Sequence, residues 1–353
     1  MTMKPLLDVR DIRTTFQTND GAIRAVDGVS FTLEAGRTIG IVGESGSGKS
    51  VLVRSIMGLL GPSATVEGEV LMDGRDIRQL SRLEARHFWG PEIAMVFQDP
   101  MTSLNPVKKI GTAITESMRF HLRLGGAEAR RRAIELLEQV GIPAPARRLD
   151  DYPHQLSGGM RQRVTIAMAL ACSPKLLIAD EPTTALDVTV QKQILDLLHD
   201  LQREFRMGMI LITHDLGVVS GRTDEVMVMY AGQAVERAPT STLFESVRHQ
   251  YTAALLRSIP RIDDPSHTRL DAIVGRPPDL RTLESGCRFA PRCAAAQHRC
   301  LTDEPEFVPH DVPEHQVRCF FPVGTPEGHR ALSDNQAAGH AAGGAPPSIA
   351  VAG

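Results

Sequence analysis

A glycine-rich loop between two regular apolar patterns restricts this chain more than any other feature. Residues 43–50 read Gly-Glu-Ser-Gly-Ser-Gly-Lys-Ser, with an apolar run at 38–42 before them and a run of helical spacing at 51–60 after them. Glycines let such a loop curl so that successive backbone N–H groups and the helix N-terminus face an anion. The order strand, loop, helix predicts an α/β fold with a polyphosphate site, although an ordinary glycine-rich turn has the same composition.

The loop residues have distinct roles if the anion is a nucleoside triphosphate. The Lys49 ammonium would reach the β- and γ-phosphates, and the Ser50 hydroxyl would coordinate Mg²⁺. The predicted nucleotide contacts in this stretch are Gly43, Glu44, Ser45, Gly46, Ser47, Gly48, Lys49, Ser50 and Val51.

The rest of the apolar pattern supports an α/β fold. Short strand-like runs at 38–42, 93–97, 176–179, 209–213 and 226–230 alternate with helical segments, which predicts a mostly parallel sheet. Near the start, residues 6–12 and 23–33 alternate polar and apolar around a turn at 19–21, and 68–73 are a further candidate, so we expect an antiparallel β layer. Residues from about 99 to 171 show helical patterns and no strand, which predicts an inserted helical subdomain.

Length and composition exclude several classes. A chain of 353 residues has room for about two domains. Its 39 basic and 42 acidic residues give a formal charge of -3, so we expect no nucleic acid partner. No stretch approaches the roughly 20 apolar residues of a membrane span, and residues 1–16 contain no apolar signal core, which predicts a cytoplasmic protein.

The composition changes near the C-terminal end. From about residue 240 the chain is richer in Pro, Arg and Cys, which predicts a second, loop-rich module with a small core. Residues 324–353 are mainly Ala, Gly, Pro and small polar residues, and such a segment buries too little apolar surface to offset chain entropy. We therefore expect a disordered tail there.

Two further segments carry groups suited to phosphate chemistry. The run at 176–179 ends in Asp180 and Glu181, where Asp180 could bind the metal and Glu181 could polarise a water for attack on the γ-phosphate. Taken alone, the pair could also cap the next helix. At 157–159, Ser-Gly-Gly opens a helix with exposed backbone donors. One nucleotide does not need two helix N-termini of the same chain, so this one is predicted to serve a nucleotide on a neighbouring subunit, in a dimer with ATP at the interface.

Taken in order and spacing, these elements resemble the ATP-binding-cassette (ABC) ATPases over roughly residues 6–240. The resemblance also depends on Gln98 after a strand, Thr-Ala-Leu-Asp at 184–187 and His214 after a strand. It implies a P-loop NTPase fold, in which an α/β cassette carries an antiparallel β layer and a helical subdomain.

The resemblance implies a role for each matching residue. The implied catalytic residues are Glu181, His214, Gln98 and Lys49, and the implied Mg²⁺ ligands are Ser50, Gln98 and Asp180. His214 would hold the γ-phosphate, Asp187 would lie at the dimer seam, and the Phe16 ring would stack on adenine. A solvated loop glutamine, a strand-end histidine and a core phenylalanine are the plainer interpretations. The signature comprises Ser157, Gly158, Gly159 and Met160, where Met160 replaces the common glutamine but the donors before it remain.

Several segments resemble the dipeptide and oligopeptide importer branch in particular. They are residues 99–106, 179–188, 275–280 and the element His-Gln-Tyr-Thr at 249–252, where Gln250 replaces that branch's proline. The likeness extends to about residue 322 and implies a C-terminal extension at 241–323. It also implies two integral-membrane permease subunits, a second ABC ATPase that is identical or homologous, and an extracytoplasmic peptide-binding protein.

The same resemblance places the protein on the cytoplasmic face of a bacterial inner membrane, with permease contacts near residues 101–120. Nickel or another small solute is an alternative cargo, because importers of this branch share their ATPases. A soluble cassette ATPase is a second alternative. Long coiled coils and a second cassette, which mark such relatives, are absent from the sequence.

Four cysteines in the C-terminal part form a group. Cys287, Cys293, Cys300 and Cys319 are separated by five, six and eighteen residues and could bind one tetrahedral metal ion or one iron–sulfur cube. The close Cys pair typical of structural zinc is missing. The family resemblance implies [4Fe–4S], with Zn²⁺ or four unligated thiols as alternatives. Cys172 follows a helical run and is predicted to be a packing residue.

Overall fold

The computed structural model of the chain describes residues 4–19, 21–99, 103–184, 186–259, 273–283 and 285–338. The chain forms two compact units. The first consists of Met1–Val9, Phe31–Ile39 and Glu69–Thr213, and the second of Arg10–Ser30, Gly40–Gly68 and His214–Gly353. The predicted domain boundary near residue 240 therefore falls inside the second unit.

The strands are β1 Leu7–Thr18, β2 Gly21–Leu33, β3 Thr38–Val42, β4 Ala64–Met72, β5 Arg75–Asp76, β6 Ile93–Val96, β7 Leu176–Asp180, β8 Gly208–Thr213, β9 Glu225–Tyr230, β10 Gln233–Pro239, β11 Val308–His310 and β12 Val312–Val317. The helices are α1 Lys49–Ile56, α2 Arg82–Phe88, α3 Ile110–His121, α4 Gly126–Gln139, α5 Pro145–Arg148, α6 Gly158–Leu170, α7 Val188–Phe205, α8 Leu216–Val219, α9 Thr240–Glu245, α10 Gln250–Arg257, α11 His298–Thr302 and α12 Pro326–Ala337.

The N-terminal strands form a sheet in the order β2-β1-β4-β5, in which β4 and β5 are antiparallel. This confirms the strands predicted at 6–12, 23–33 and 68–73. Along β1, β2 and β4 the chain passes from one unit to the other, so each unit contains part of these strands.

In the first unit, β8, β7 and β6 are adjacent and parallel. Every residue of β7 and β8 is buried, as expected for parallel strands that are covered on both faces. Their continuous apolar runs are the reason that they could be predicted from the sequence. Because parallel strands end at the same edge, the residues that follow β6 and β7 come close together there.

The helical insertion of the first unit is built from α3, α4 and α6, which pack against one another. Helix α3 buries Ile110, Ile114 and Met118, whose spacing of four places them on one stripe. Helix α4 ends where Gly141 takes a positive φ of 74°. The Gly141 N–H there donates to the Glu138 carbonyl at 2.8 Å, a common way to satisfy the last carbonyls of a helix. The predicted helices of this region are confirmed.

In the second unit, the strand order is β11-β12-β10-β9, with antiparallel pairing throughout. The sequence analysis predicted β9 but not β10, β11 or β12. Valines of β9 form a core with Tyr230, Tyr251 and Phe289. The Tyr230 and Tyr251 ring centroids are 4.6 Å apart, and Phe289 lies 5.3 Å from Tyr251. This aromatic group is the centre of the C-terminal part of the unit.

The prediction of a disordered tail from residue 324 is wrong for the segment that forms α12. Thr325 caps this helix by accepting a hydrogen bond from Gly328, and Ala331 is buried. Asn335 Nδ2 donates to the carbonyls of Ala294 and Ala296 at 2.8 and 2.9 Å. The helix is held by a cap and polar contacts, so its low apolar content misled the prediction. Residues 339–353 lie outside the described part of the chain.

Among the residues that the structure describes, no helix combines the length and the apolar character needed to cross a lipid bilayer.

Candidate functional site

The glycine-rich loop of the second unit connects β3 to α1, as the sequence predicts. Gly48 has a φ of 99°, and a Cβ there would lie 2.4 Å from the Ala25 carbonyl oxygen. At Gly43 a Cβ would lie 2.2 Å from the Met229 carbonyl oxygen. Any larger residue would collide with backbone at both positions, so the close packing of the loop explains these two glycines.

The Lys49 side chain is buried and lies against the loop itself. Its Nζ donates to the carbonyls of Gly43 at 2.7 Å and Glu44 at 2.9 Å. The Ser47 carbonyl accepts from Gly232 N–H at 2.9 Å, which ties the loop to the turn after β9. The loop is thus a fixed frame with an ammonium group at its centre, as a polyphosphate site requires.

The outer side of the loop is held by residues that the sequence analysis did not assign to the site. The Glu44 backbone N–H donates to Tyr251 Oη at 2.8 Å. Arg292 Nη1 and Nη2 donate to the two oxygens of the Glu44 carboxylate at 2.6 and 3.0 Å. Burial alone would lower the pKa of Arg292, but Glu44 and Tyr230 raise it above its usual value, so the guanidinium is charged.

Tyr251 belongs to the His-Gln-Tyr-Thr element, and the structure explains why its His and Tyr are two residues apart. His249 caps α10, since its Nδ1 accepts the Tyr251 N–H at 3.1 Å. Burial lowers the pKa of His249 to about 4, so the imidazole is neutral and can accept this bond. The element therefore starts a helix whose second residue contacts the glycine-rich loop. The sequence identifies this element, but only the structure shows that Tyr251 contacts Glu44.

In the first unit, β7 ends at the buried Asp180, and Glu181 follows in the left-handed region with a φ of 44°. Glu181 N–H donates to the Ile212 carbonyl at 3.1 Å. The Glu181 Oε2 atom accepts from Gln98 Nε2 at 3.1 Å and from Thr184 Oγ1 at 3.0 Å. The structure thus brings together two predicted catalytic residues, and Thr184 is a neighbour that the sequence analysis did not assign.

The alternative in which Asp180 and Glu181 cap the next helix is wrong. Helix α7 is capped by Asp187, whose Oδ1 accepts from Val190 N–H at 2.9 Å. Asp187 is exposed at this helix start. Its predicted position at a dimer seam stays a prediction.

The segment at 157–160 forms the predicted helix start. Ser157 caps α6 and accepts from Met160 N–H at 3.4 Å, while Ser157 and Gly158 are exposed. A Cβ at Gly159 would lie 2.8 Å from Val190 Cγ1, so packing against α7 accounts for this glycine. The exposed backbone donors can face an anion that another molecule carries.

Two other predicted contacts lie in the second unit. His214 is exposed directly after β8, and Phe16 is half-buried on β1. Their contacts to phosphate and adenine stay predictions.

The four C-terminal cysteines all line one small cavity. Burial raises the pKa of Cys287 to about 11 and of Cys319 to about 12, and it also raises the pKa values of Cys293 and Cys300. Neighbouring sulfurs add to the shifts of Cys287, Cys293 and Cys319. Within the described ranges, no group of three or more His, Cys, Asp or Glu side chains is arranged to hold a metal ion.

Cys172 is apart from this group. It is buried in the first unit, where burial raises its pKa and Ser117 is a hydrogen-bond partner, in agreement with a packing role.

Comparison with known proteins places these features in a family. Residues 26–184 match the family described as ABC transporter, and residues 235–300 match that described as oligopeptide/dipeptide transporter, C-terminal region. The chain is 49% identical over 321 residues to the oligopeptide transport ATP-binding protein AppD of Bacillus subtilis, covering 90% of this chain and 97% of that protein. It is 48% identical over 320 residues to the oligopeptide transport ATP-binding protein OppD of Escherichia coli, covering 90% and 94%.

Solved structures agree with this relationship. The ATP-binding cassette MJ0796, in a dimeric post-hydrolysis state bound to ADP and Pi, matches with a TM-score of 0.60 and 30% identity, over 66% of this chain and 98% of that one. The chain therefore belongs to the ABC transporter family. It is an ATPase with the cassette fold, and its cofactor is Mg²⁺.

Proposed function

We propose that this chain is the ATP-hydrolysing subunit of an ABC importer for dipeptides or oligopeptides, in which closure of two cassettes moves separate permease subunits. The main support for a peptide cargo is the match of residues 235–300 to the oligopeptide/dipeptide transporter C-terminal region. The relatives named as oligopeptide transport proteins, which align with 90% of the chain, support it.

The hydrolytic chemistry assigns one task to each site residue. Lys49 and the loop N–H groups would bind the phosphates, and Ser50, Gln98 and Asp180 would hold Mg²⁺, which would offset phosphate charge. Glu181 accepts the proton of the attacking water.

The residues around Glu181 orient its carboxylate and contact the nucleotide. Gln98 and Thr184 orient the Glu181 carboxylate through the two hydrogen bonds to its Oε2. His214 holds the γ-phosphate, and Phe16 stacks on the adenine.

The second cassette completes the site. Ser157, Gly158, Gly159 and Met160 of one cassette contact the nucleotide of the other, with Asp187 at the seam. The exposed, capped start of α6 supports this arrangement. The second cassette is a copy of this chain or a homologue.

Membership of the ABC transporter family supports the following assembly. Two integral-membrane permease subunits and an extracytoplasmic peptide-binding protein complete the importer, and the cassette lies on the cytoplasmic face of the bacterial inner membrane. Residues 6–240 form the nucleotide-binding domain and 241–323 the C-terminal extension.

The four C-terminal cysteines line one cavity, which supports a shared inorganic group there. A [4Fe–4S] cube binds one cysteine sulfur at each of its four irons, whereas Zn²⁺ binds four sulfurs at one ion. Cys287, Cys293, Cys300 and Cys319 would hold [4Fe–4S], which would supply one-electron chemistry or a structural crosslink. Zn²⁺ is the alternative.

The test is isolation of the complex from its membrane followed by transport. Affinity purification of the chain should recover two permease subunits, and proteoliposomes containing the complex should take up labelled di- or oligopeptides when ATP is supplied on the cassette side. If the proteoliposomes take up nickel but no peptide, the proposed peptide cargo is wrong. Recovery of no membrane subunit would overturn the importer role.

A further inference from the structure

We propose that Tyr251 and Arg292 are positioning residues for the glycine-rich loop, so that nucleotide affinity depends on the part of the chain that carries the cysteines. Both contact Glu44, the second residue of the loop. The inference rests on the loop being the nucleotide site, as proposed above, but not on the cargo or on the cluster.

Tyr251 fixes the backbone of the loop. Its Oη accepts the Glu44 N–H at 2.8 Å, and its ring is fully buried between Tyr230 and Phe289. Because three rings pack together, the hydroxyl has little freedom to follow a moving loop. Burial raises the pKa of Tyr251, so the hydroxyl is neutral at physiological pH. The peptide between Gly43 and Glu44 is thus held at one place.

Arg292 fixes the side chain of the same residue and neutralises its charge. Its guanidinium side chain is 4% exposed and is itself anchored by the Val274 carbonyl, to which Nε donates at 3.0 Å. A carboxylate in a loop that binds phosphates repels them, and the repulsion is large where water is excluded. The pair with Arg292 removes this repulsion.

The two contacts also set the position of Lys49. The Glu44 carbonyl accepts from Lys49 Nζ at 2.9 Å, so a shift of Glu44 moves a partner of the phosphate-binding ammonium. On the other side, Arg292 directly precedes Cys293, and Phe289 lines the cysteine cavity. Coupling of this kind is reciprocal: nucleotide on the loop must also stabilise the segment around the cysteines.

The first experiment measures the affinity of the full chain for ADP and for a non-hydrolysable ATP analogue with Mg²⁺. Tyr251→Phe keeps the ring and removes the hydroxyl, and we expect the Kd to rise roughly fivefold, as loss of one hydrogen bond predicts. Arg292→Gln should raise it further, because the Glu44 charge is then uncompensated. The melting temperature without nucleotide should stay close to that of the wild type for Tyr251→Phe.

The matched control is Arg248→Gln. Arg248 donates to Asp311 and to the Val323 carbonyl in the same part of the chain, and within the described residues its hydrogen bonds do not involve the loop. This variant should bind nucleotide as the wild type does. If Arg248→Gln and Arg292→Gln weaken binding equally, the effect is general destabilisation and the inference is wrong.

A second variant separates positioning from simple structural support. In the double variant Glu44→Gln with Arg292→Gln the uncompensated charge is gone, so it should bind ADP more tightly than Arg292→Gln alone. If the double variant loses as much binding free energy as the two single variants together, the proposal is wrong. Arg292→Lys keeps the charge but not the fork, and its affinity should lie between those of the wild type and Arg292→Gln.

Hydrogen exchange tests whether bound nucleotide stabilises α10 in return. It also distinguishes failure of this inference from failure of the proposed function. ADP should slow amide exchange at residues 250–257 in the wild type, and clearly less in Tyr251→Phe. Equal slowing in both would overturn the inference. If the wild type binds no nucleotide at all, the proposed function fails; if it binds and all variants match it, only this inference fails.

Discussion

Gln98 and Glu181 are 83 residues apart in the sequence, yet Gln98 Nε2 donates to Glu181 Oε2 at 3.1 Å. Thr184 Oγ1 donates to the same oxygen at 3.0 Å. Both donors act on one carboxylate oxygen, so they fix the rotation of the carboxylate group. A carboxylate held in this way has the fixed orientation that a general base needs.

Glu181→Gln should abolish most hydrolysis and leave ATP binding intact. The amide fills the same space but cannot accept a proton, and removal of a general base lowers rates by roughly 10²- to 10⁴-fold. Turnover in the assembled complex and equilibrium ATP binding are the two measurements. Normal turnover would show that another group activates the water.

Gln98→Ala should lower kcat by roughly tenfold or more, because Glu181 Oε2 loses the Gln98 donor and Mg²⁺ loses a predicted ligand. The matched control is Gln139→Ala, which removes another Gln–Glu pair of the first unit, with Glu204 at 3.3 Å on the surface. Steady-state kinetics at saturating Mg²⁺ compare the two. Equal kcat values for both variants would contradict the role of Gln98.

Gly48→Ala should weaken nucleotide binding far more than Gly46→Ala. Both glycines have positive φ, at 99° and 81°, so alanine is strained at either position. A Cβ at Gly48 would lie 2.4 Å from the Ala25 carbonyl oxygen, whereas at Gly46 it meets nothing within 4 Å. The measurement is ADP affinity by calorimetry. A larger defect in Gly46→Ala would mean that strain, not collision, limits the loop.

If the proposed cluster is present, protein purified without oxygen should be brown and contain about four irons and four acid-labile sulfides per chain, as a cube held by four cysteines implies. Cys293→Ser should lower the iron content and the colour. Cys172→Ser is the control, because Cys172 lies in the first unit and should not affect either. Colourless wild-type protein with one zinc per chain would establish the alternative metal.

The stability of the first unit should decrease as the pH falls below 6.5, in part through His121. Burial, with a smaller effect of His87, lowers the pKa of His121 below its ordinary value of 6.5, so the folded state binds this proton less readily than the unfolded state. Urea denaturation at pH 7.5 and 5.5 should show a smaller difference for His121→Gln than for the wild type. The exposed His154 provides the control substitution, His154→Gln. If the difference in unfolding free energy between the two pH values is the same in His121→Gln as in the wild type, His121 does not contribute to it.

The sequence predicts the parts of the molecule that local pattern determines. Strands β7 and β8 are continuous apolar runs, and the glycine-rich loop has a fixed spacing of residue types, so both could be located before the structure was known. Helix α12 was missed because its stability comes from Asn335 and a Thr325 cap rather than from apolar area. Local composition does not contain such contacts.

Strands β10 and β12 were missed because pairing decides them. Each lacks a long apolar run, and the register of Glu236 with Val317 depends on segments about 80 residues apart. The contact of Arg292 with Glu44 is similar, since nothing near either residue identifies the other. Site residues that recur in a motif could be predicted, whereas residues that support the motif from a distance could not.

The backbone of Glu181 has a consequence for the evolution of this protein. A left-handed conformation costs a residue with a side chain roughly 1–2 kcal/mol, and glycine would relieve that cost. Glycine at position 181 would remove this cost and with it the carboxylate that accepts from Gln98 and Thr184. The strained backbone is therefore inherited together with the reactive group, as is common for residues at functional sites.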